Sequence, residues 1–303
     1  MKTTVSIISV NWNGAKHIEN MLATLQKHAN GFTYEVILVD NASAEADFKH
    51  LQTLPAKFPD TNIQVIQTGA NLGFGKGNNI GVKTAQGDFV AFVNPDITFH
   101  ENTLTVLLDE LRNNPKIGLI GPKLTTTNRQ VVTSAMKKST IGSIALGQTF
   151  LTLAQLLKLK TWGSFYVDQT VPCFPDWIYG SFMMLPRKVF DMVSGFDERY
   201  FMYAEEADLC LAVKKAGYLV RYLPTTTVFH EGEAVARKVP DLTIKRKAES
   251  EYKFFTKWNG KLYATLNALF NGTLFVLKGV LSFFRRPTSQ KLLKMGIYRL
   301  KQL

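Results

Sequence analysis

Phe89–Asp96 reads Phe-Val-Ala-Phe-Val-Asn-Pro-Asp, and it restricts the fold more than any other stretch. Its apolar run is short, continuous and without alternation, the pattern of a strand buried on both faces of a parallel sheet. Pro95 has no N–H to give a ladder, so the strand is predicted to stop there and to deliver Asp96 to its carboxyl end. In an open α/β sheet that end is where ligands bind. A carboxylate there suits a hard divalent cation that also holds phosphates. The same residues also suit an ordinary turn, because Asn-Pro is good turn chemistry.

Similar runs recur along the chain. Val5–Val10, Tyr34–Asp40, Ile63–Gln67 and Ile117–Ile120 are predicted strands, the last closed by Gly121-Pro122. Between them, Ile18, Met21, Leu22 and Leu25 share one helical face, and Leu104–Leu111 is helical. Strands alternating with helices predict an α/β fold around a mostly parallel sheet. Gly69–Gly81 reads as a glycine- and asparagine-rich loop running into a short helix. Asp176–Pro186 has strand composition, Leu209–Ala216 is a helix closed by Gly217, and Tyr218–Leu223 is a last strand followed by Val228-Phe229-His230. Residues 125–175 show no clear period. Their apolar patch Ile141–Leu159, with Trp162, Phe165 and Tyr166, is either a helical pair packed on the sheet or a variable insert that touches a second substrate.

Charge divides the 303 residues into two parts. Residues 1–236 hold 21 Lys/Arg and 21 Asp/Glu, whereas residues 237–303 hold 15 against 3, so the whole net charge of +12 lies in the tail. A neutral body with a basic tail predicts a tail that meets an anionic surface. Leu262–Phe284 is strongly apolar but carries Asn267, Asn271, Gly272, Lys278 and Gly279, more polar groups than a spanning helix usually has. In Thr288–Leu303, a helical projection puts Leu292, Leu293, Ile297, Leu300 and Leu303 on one arc and Lys291, Lys294, Arg299 and Lys301 opposite. That is the pattern of an in-plane membrane anchor, or of a helix packed on the body or a partner. Cys173 and Cys210 form no disulfide framework or metal-ligand spacing, which fits a reducing, cytosolic setting. The opening stretch lacks a charged region followed by a cleavage site, so no signal peptide is expected.

Other chemistries match the residues less well, and a nucleotidyltransferase on the same α/β frame is the competing enzyme reading. Gly75, Gly77 and Gly81 make G-x-G-x-x-x-G, one residue off the dinucleotide fingerprint and after the third strand rather than the first. The Walker pattern is absent, and Asn11-Trp12-Asn13-Gly14 is not the basic glycine-rich turn of a nucleotidyltransferase. What Gly69–Gly81 offers is backbone approach at Gly73, Gly75 and Gly77 beside the amides of Asn71, Asn78 and Asn79, which suits a nucleotide or diphosphate. The acids Asp40, Asp96 and Glu205-Glu206-Asp208 follow in order on one frame. Each also has a structural reading, as a helix cap or an acidic first turn.

The pieces VSIISVNWNG, VILVDNAS, NLGFGKGNNIG, GDFVAFVNPD and GFDERYFMYAEEADLCLAVKKAGY occur in the order found in family 2 inverting glycosyltransferases of GT-A fold. Over roughly residues 3–232 the chain resembles that family, and within it the rhamnosyltransferase-type members of bacterial surface-polysaccharide pathways. The resemblance implies a GT-A domain over residues 1–236, with 125–175 as a variable stretch and candidate acceptor-side insert; the tail over 237–303 is expected to associate with a membrane from its charge and amphipathic pattern. The resemblance also implies donor binding by Asn11, Asn13, Asp40, Asn71, Asn78 and Asn94. It implies Mg²⁺ or Mn²⁺ on Asp96 and His230, Glu206 as catalytic base, and acceptor contacts at Trp177, Glu205 and Asp208. The expected reaction moves one sugar from a nucleotide-diphosphate donor to a lipid-linked or glycan acceptor. L-rhamnose from dTDP-rhamnose is the first expectation, and a UDP-linked GlcNAc, Glc or Gal the alternative. The Gln-x-x-Arg-Trp motif of processive synthases is absent, which points to one sugar per encounter. The implied setting is the inner face of the cell membrane, on its anionic surface. A homo-oligomer stays open, and nucleic acid is not an expected partner. A non-catalytic, membrane-tethered nucleotide-sugar-binding protein is the reading of another class.

Overall fold

The computed structural model describes residues 3–137, 167–232, 240–281 and 286–303. The apolar patch Ile141–Leu159 and the aromatics Trp162, Phe165 and Tyr166 lie outside the described residues. Two compact units are present: residues 1–136, 168–198 and 205–232 form the first, and 137–167, 199–204 and 233–303 the second.

The first unit opens with β1 (Val5–Asn11), α1 (Ala15–His28), β2 (Tyr34–Asp40), α2 (Glu45–Lys57), β3 (Asn62–Gln67), α3 (Phe74–Thr84) and β4 (Phe89–Val93). Then come β5 (Ile97–Phe99), α4 (Thr103–Asn113), β6 (Ile117–Thr125), β7 (Val131–Val132) and β8 (Ala135–Met136). It closes with β9 (Trp177–Ile178), β10 (Phe182–Pro186), α5 (Arg187–Met192), α6 (Glu205–Lys215) and β11 (Leu219–His230). The main sheet runs β3-β2-β1-β4-β10-β6-β11-β5, with β7 on β6. β1 to β4 are mutually parallel, as are β6 and β11. β10 is antiparallel to β4 and β6, and β5 to β11. The strand order turns back between β1 and β4, which makes the crevice at their carboxyl ends the switch point of the sheet.

The continuous apolar runs follow from burial on both sides. Val5 and Ile7 of β1 belong to a core with Ile18, Met21, Leu22 and Leu25 of α1 and Leu104, Leu107 and Leu108 of α4. Ile8 and Val10, alternating with them, face Gly81 and Gly77 of α3. Each such fully buried aliphatic side chain contributes about 1.5–3 kcal/mol.

Three expectations are corrected. The Gly69–Gly81 loop ends at Gly73, whose left-handed φ of +86° starts α3; Gly75, Gly77 and Gly81 are helical. They are small because neighbours are close: a Cβ on Gly81 would lie 2.6 Å from Ile8 Cγ2, and one on Gly75 3.0 Å from Phe196 Cβ. Secondly, β6 runs through Gly121-Pro122 instead of stopping there. Pro122 faces Leu223 at the bulge of β11, where the ladder is already broken, and Gly121 leaves room for Ile178. Thirdly, β11 continues past Leu223 to His230.

The second unit contains α7 (Pro240–Asn259), α8 (Lys261–Leu281) and α9 (Arg286–Leu300), with Gly260 at φ +88° between the first two. α7 also holds residues 199–204: Ser250 donates to the Met202 carbonyl at 2.9 Å, and the Arg246 guanidinium lies 3.7 Å over the Phe201 ring. α8 and α9 approach so closely that a Cβ on Gly296 would lie 2.6 Å from the Gly272 carbonyl oxygen. Leu293 fills the space at Gly279, and Leu300 that at Gly272. The apolar arc predicted for Thr288–Leu303 is therefore partly spent on α8. Arg299, placed on the polar side by projection, is buried and paired to Glu251 at 2.6 Å. The projection could not foresee the partner helix.

Candidate active site

β1 delivers Asn11 to the sheet's carboxyl end, directly beside Asp40 at the end of β2. Both are fully buried. The Asn11 amide donates to Asp40 Oδ1 at 3.1 Å, to Ser43 Oγ at 3.1 Å and to Asp47 Oδ2 at 2.8 Å, while its oxygen accepts from the Gly14 N–H at 3.0 Å. Asn11 thus ties β1, the β2–α2 turn and α2 together. Asn13 is exposed, with a left-handed φ of 57°, and its side-chain oxygen accepts from the Ala44 N–H at 2.8 Å.

Asn41, not singled out from sequence, fastens the next segment. Its oxygen accepts from the Leu72 N–H at 3.1 Å, and its amide donates to the Gly73 carbonyl at 3.0 Å and to Asn71 Oδ1 at 3.3 Å. Asn71 is half-buried, but Asn78 is buried and gives its amide to the Phe74 carbonyl at 3.0 Å. Asn79 anchors α3 through the Phe196 backbone, accepting from its N–H at 2.9 Å and donating to its carbonyl at 2.8 Å.

β4 ends as predicted, and the Asn94 N–H passes to the Ser181 carbonyl at 2.9 Å. β5 turns back to pair with the end of β11, where Ile97 faces His230. His230 Nε2 then lies 3.3 Å from Asp96 Oδ1, both side chains largely shielded. Burial by itself pushes the Asp96 carboxyl up. The hydrogen bond and charge of His230 outweigh it, with smaller help from the backbone and His17, and hold the carboxyl below its ordinary value. The carboxylate is therefore ionised at neutral pH. Glu231 continues this edge, its N–H on the Asp96 carbonyl at 3.2 Å and its carboxylate 3.3 Å from His17 Nδ1. Asp96 and His230 offer one oxygen and one nitrogen ligand. Among the described residues no cluster of three or more His, Cys, Asp or Glu could hold a metal alone.

α6 begins at Glu205, directly after Tyr203 and Ala204, which both take left-handed φ values of 71° and 69°. Its first turn packs on the link between β9 and β10: a Cβ on Gly180 would lie 3.1 Å from Glu206 Cβ and 3.4 Å from the Phe74 ring. Gly75 of α3 faces Glu205 in the same way. Glu205 and Asp208 are buried at 4% and 2% exposure, whereas Glu206 is half-buried. Of the acids in this turn, Glu206 is thus the least enclosed, although its Oε2 is itself buried. Trp177, half-buried in β9, stacks on Tyr179 with ring centroids 5.7 Å apart. A salt bridge from Lys214 to Asp176 fastens α6 to the start of that strand. The Gly180–Ser181 link therefore touches Glu206 on one side and the Asn94 turn leading to Asp96 on the other.

Residues 6–158 match the sequence profile of glycosyl transferase family 2. The chain belongs to that family. The enzyme is 28% identical over 309 residues to an N-acetylglucosaminyl-diphospho-decaprenol L-rhamnosyltransferase of Mycobacterium tuberculosis, covering 96% of this chain and 98% of the relative. It is 28% identical to the rhamnosyltransferase WbbL of Escherichia coli, covering 84% and 93% of the two chains. Its fold is that of GT-A glycosyltransferases. The mannosyltransferase PcManGT of Pyrobaculum calidifontis, solved with GDP-Man and Mn²⁺, superposes with a TM-score of 0.61 at 15% identity, over 99% of this chain and 86% of that one. S. aureus TarS in complex with UDP gives 0.55 at 18% identity, over 99% and 92%. A family 2 enzyme on this frame is a glycosyltransferase, and the reading as a non-catalytic binding protein falls.

Proposed function

We propose that the enzyme transfers a single L-rhamnose from dTDP-rhamnose, with inversion, to a hydroxyl of a lipid-linked acceptor at the cytoplasmic face of the membrane. The observation that carries the mechanism is the Gly180–Ser181 link: Gly180 packs on Glu206, and the Ser181 carbonyl accepts from the Asn94 N–H of the turn that leads from β4 to Asp96. The names of the two rhamnosyltransferase relatives support the sugar, and that of the mycobacterial one supports a polyprenyl-diphosphate acceptor.

Glu206 accepts the proton of the acceptor hydroxyl. That oxygen forms a bond to the anomeric carbon while the bond from this carbon to the diphosphate oxygen breaks, through an oxocarbenium-like state. The electron pair leaves with the nucleoside diphosphate. Asp96 and His230 would hold a divalent cation, Mg²⁺ or Mn²⁺, beside the donor diphosphate. When bound, such an ion supplies Lewis-acid neutralisation of the leaving diphosphate. Asn13 and Asn71, the more accessible of the asparagines, contact the donor with Asn94. Asn11, Asp40 and Asn78 hold the frame on which they sit. Trp177 faces the acceptor, and Glu205 and Asp208 fix the turn that presents Glu206.

The test is transfer by the purified enzyme, with Mn²⁺, from a panel of nucleotide sugars to a short-chain polyprenyl-diphospho-N-acetylglucosamine. Transfer from dTDP-rhamnose in preference to UDP-GlcNAc, UDP-Glc and UDP-Gal is expected. Preference for a UDP-sugar would overturn the donor, and transfer only to acceptors without the polyprenyl diphosphate would overturn the acceptor.

A further inference from the structure

Lys261–Leu281 is the one described helix long and apolar enough to cross a membrane. Its two faces differ. One is committed to protein: Asn267, Asn271, Gly272, Phe275 and Gly279 are buried. The Asn271 amide donates to Asn267 Oδ1 at 2.8 Å, Asn267 donates to Glu251 at 3.2 Å, and Glu251 in turn holds Arg299. A helix whose polar face is closed by α7 and α9 cannot be surrounded by lipid. The other face is open. Leu262, Leu266, Leu269, Phe270, Leu277 and Leu281 are exposed, Leu262 at 74% and Leu281 at 82%, and they recur at helical spacing over the whole length. Thr273 lies among them, and no charged side chain does. At about 1.5 Å per residue the stripe is roughly 28 Å long.

We propose that α8 lies flat in the surface of an anionic bilayer, this face in the acyl region, and that it, rather than α9, is the membrane-contacting element. Charge selects the occupant. Residues 237–303 carry 15 Lys/Arg and 3 Asp/Glu. Each of the three acids already has a cation: Asp241 pairs with Lys294, Glu249 with Lys245 and Glu251 with Arg299. The excess is not neutralised within the tail. A second copy docked on the stripe would bring a like charge to it, whereas anionic headgroups around an inserted apolar face match both features. α9 is the weaker candidate because Leu293 and Leu300 of its apolar arc are packed on α8. The inference extends the proposed membrane setting but does not need the identity of the sugar.

Flotation of the full chain with vesicles tests it. Vesicles of phosphatidylcholine with about a third phosphatidylglycerol should bind the protein, pure phosphatidylcholine vesicles much less, and added salt should weaken binding. The double substitution Leu269→Glu with Leu277→Glu should lower binding at least about tenfold. Ile297→Glu with Leu303→Glu should leave it within about twofold. Both pairs are surface positions; unchanged thermal unfolding verifies the fold. Equal binding by the α8 variant and the native chain overturns the inference, as does salt-insensitive, carbonate-resistant insertion, which would mean a spanning helix. So does a dimer that the α8 substitutions dissociate while no vesicle is bound. Transfer from dTDP-rhamnose to the short-chain polyprenyl-diphospho-N-acetylglucosamine, assayed in parallel without vesicles, separates the two proposals: vesicle binding without rhamnosyl transfer would sink the function and leave the docking face standing.

Discussion

At the scale of single residues, the three acids of α6's first turn are chemically alike and differ in surroundings. Glu206 is half-buried beside Gly180, and Glu205 is enclosed. Glu206→Gln keeps the size but cannot take a proton, so kcat should fall by roughly 10²–10⁴-fold with donor affinity near normal. Glu205→Gln should act first on the thermal midpoint and less on kcat. Steady-state kinetics beside a melting curve decides; a larger kcat loss at Glu205 would move the base there. Asp96 was marked from sequence by its place after a buried strand and Pro95, whereas His230 and Glu206 were singled out only through the family resemblance. Asn41 was not singled out, and Asn79 was read as a ligand-side amide rather than as an anchor of α3. Their amides bind backbone far away in sequence, and no local pattern reveals that Asn79 rather than Asn78 turns towards Phe196.

At the scale of elements, α3 shows why glycine can mislead. Gly75, Gly77 and Gly81 look like a phosphate loop, yet they form one packed side of a helix against β1, β2 and Phe196. A Cβ at Gly81 would meet Ile8 at 2.6 Å and Val39 at 3.1 Å, both core side chains with little room to retreat. Gly81→Ala should therefore destabilise the fold by about 1–3 kcal/mol, the usual cost of overpacking. Urea unfolding measures it, and a neutral or stabilising result would mean that α3 can shift. Runs of mostly apolar residues announced β1, β2 and β4 well, since a strand buried on two faces is dominated by apolar side chains even where, as at Ser6 and Ser9 of β1, a small polar one is also buried. The antiparallel placing of β10 and β5 had no such signal, because pairing partners are chosen by the whole sheet.

For the whole molecule, charge is the long-range variable. The body is neutral and the tail carries the full +12. If the acceptor sits in an anionic bilayer, salt should raise the apparent KM for it without changing kcat, as screening shortens the reach of surface charge to about 8 Å at physiological ionic strength. The same enzyme acting on a water-soluble acceptor should show no such rise. Kinetics at two ionic strengths with both acceptors would expose a purely structural tail, for which the two salt responses coincide. This asymmetry was readable from composition. Which helix face uses it was not, since the projection of α9 treats the helix as if it had no neighbour.

The small ribbon of β8 and β9 carries a further consequence. Met136 pairs with Trp177, so the chain leaves the first unit and re-enters it at adjacent points. The returning segment is also fastened to β11 before it reaches the ribbon: the Cys173 backbone is bridged to Tyr222, whose hydroxyl donates to the Gln169 carbonyl at 3.0 Å. The residues proposed for the donor lie on both sides of the ribbon, Asn13, Asn71, Asn94 and Asp96 before it and His230 after it. A change in length between Met136 and Asp168 would therefore leave both anchored ends, the ribbon and the Cys173 bridge, in register.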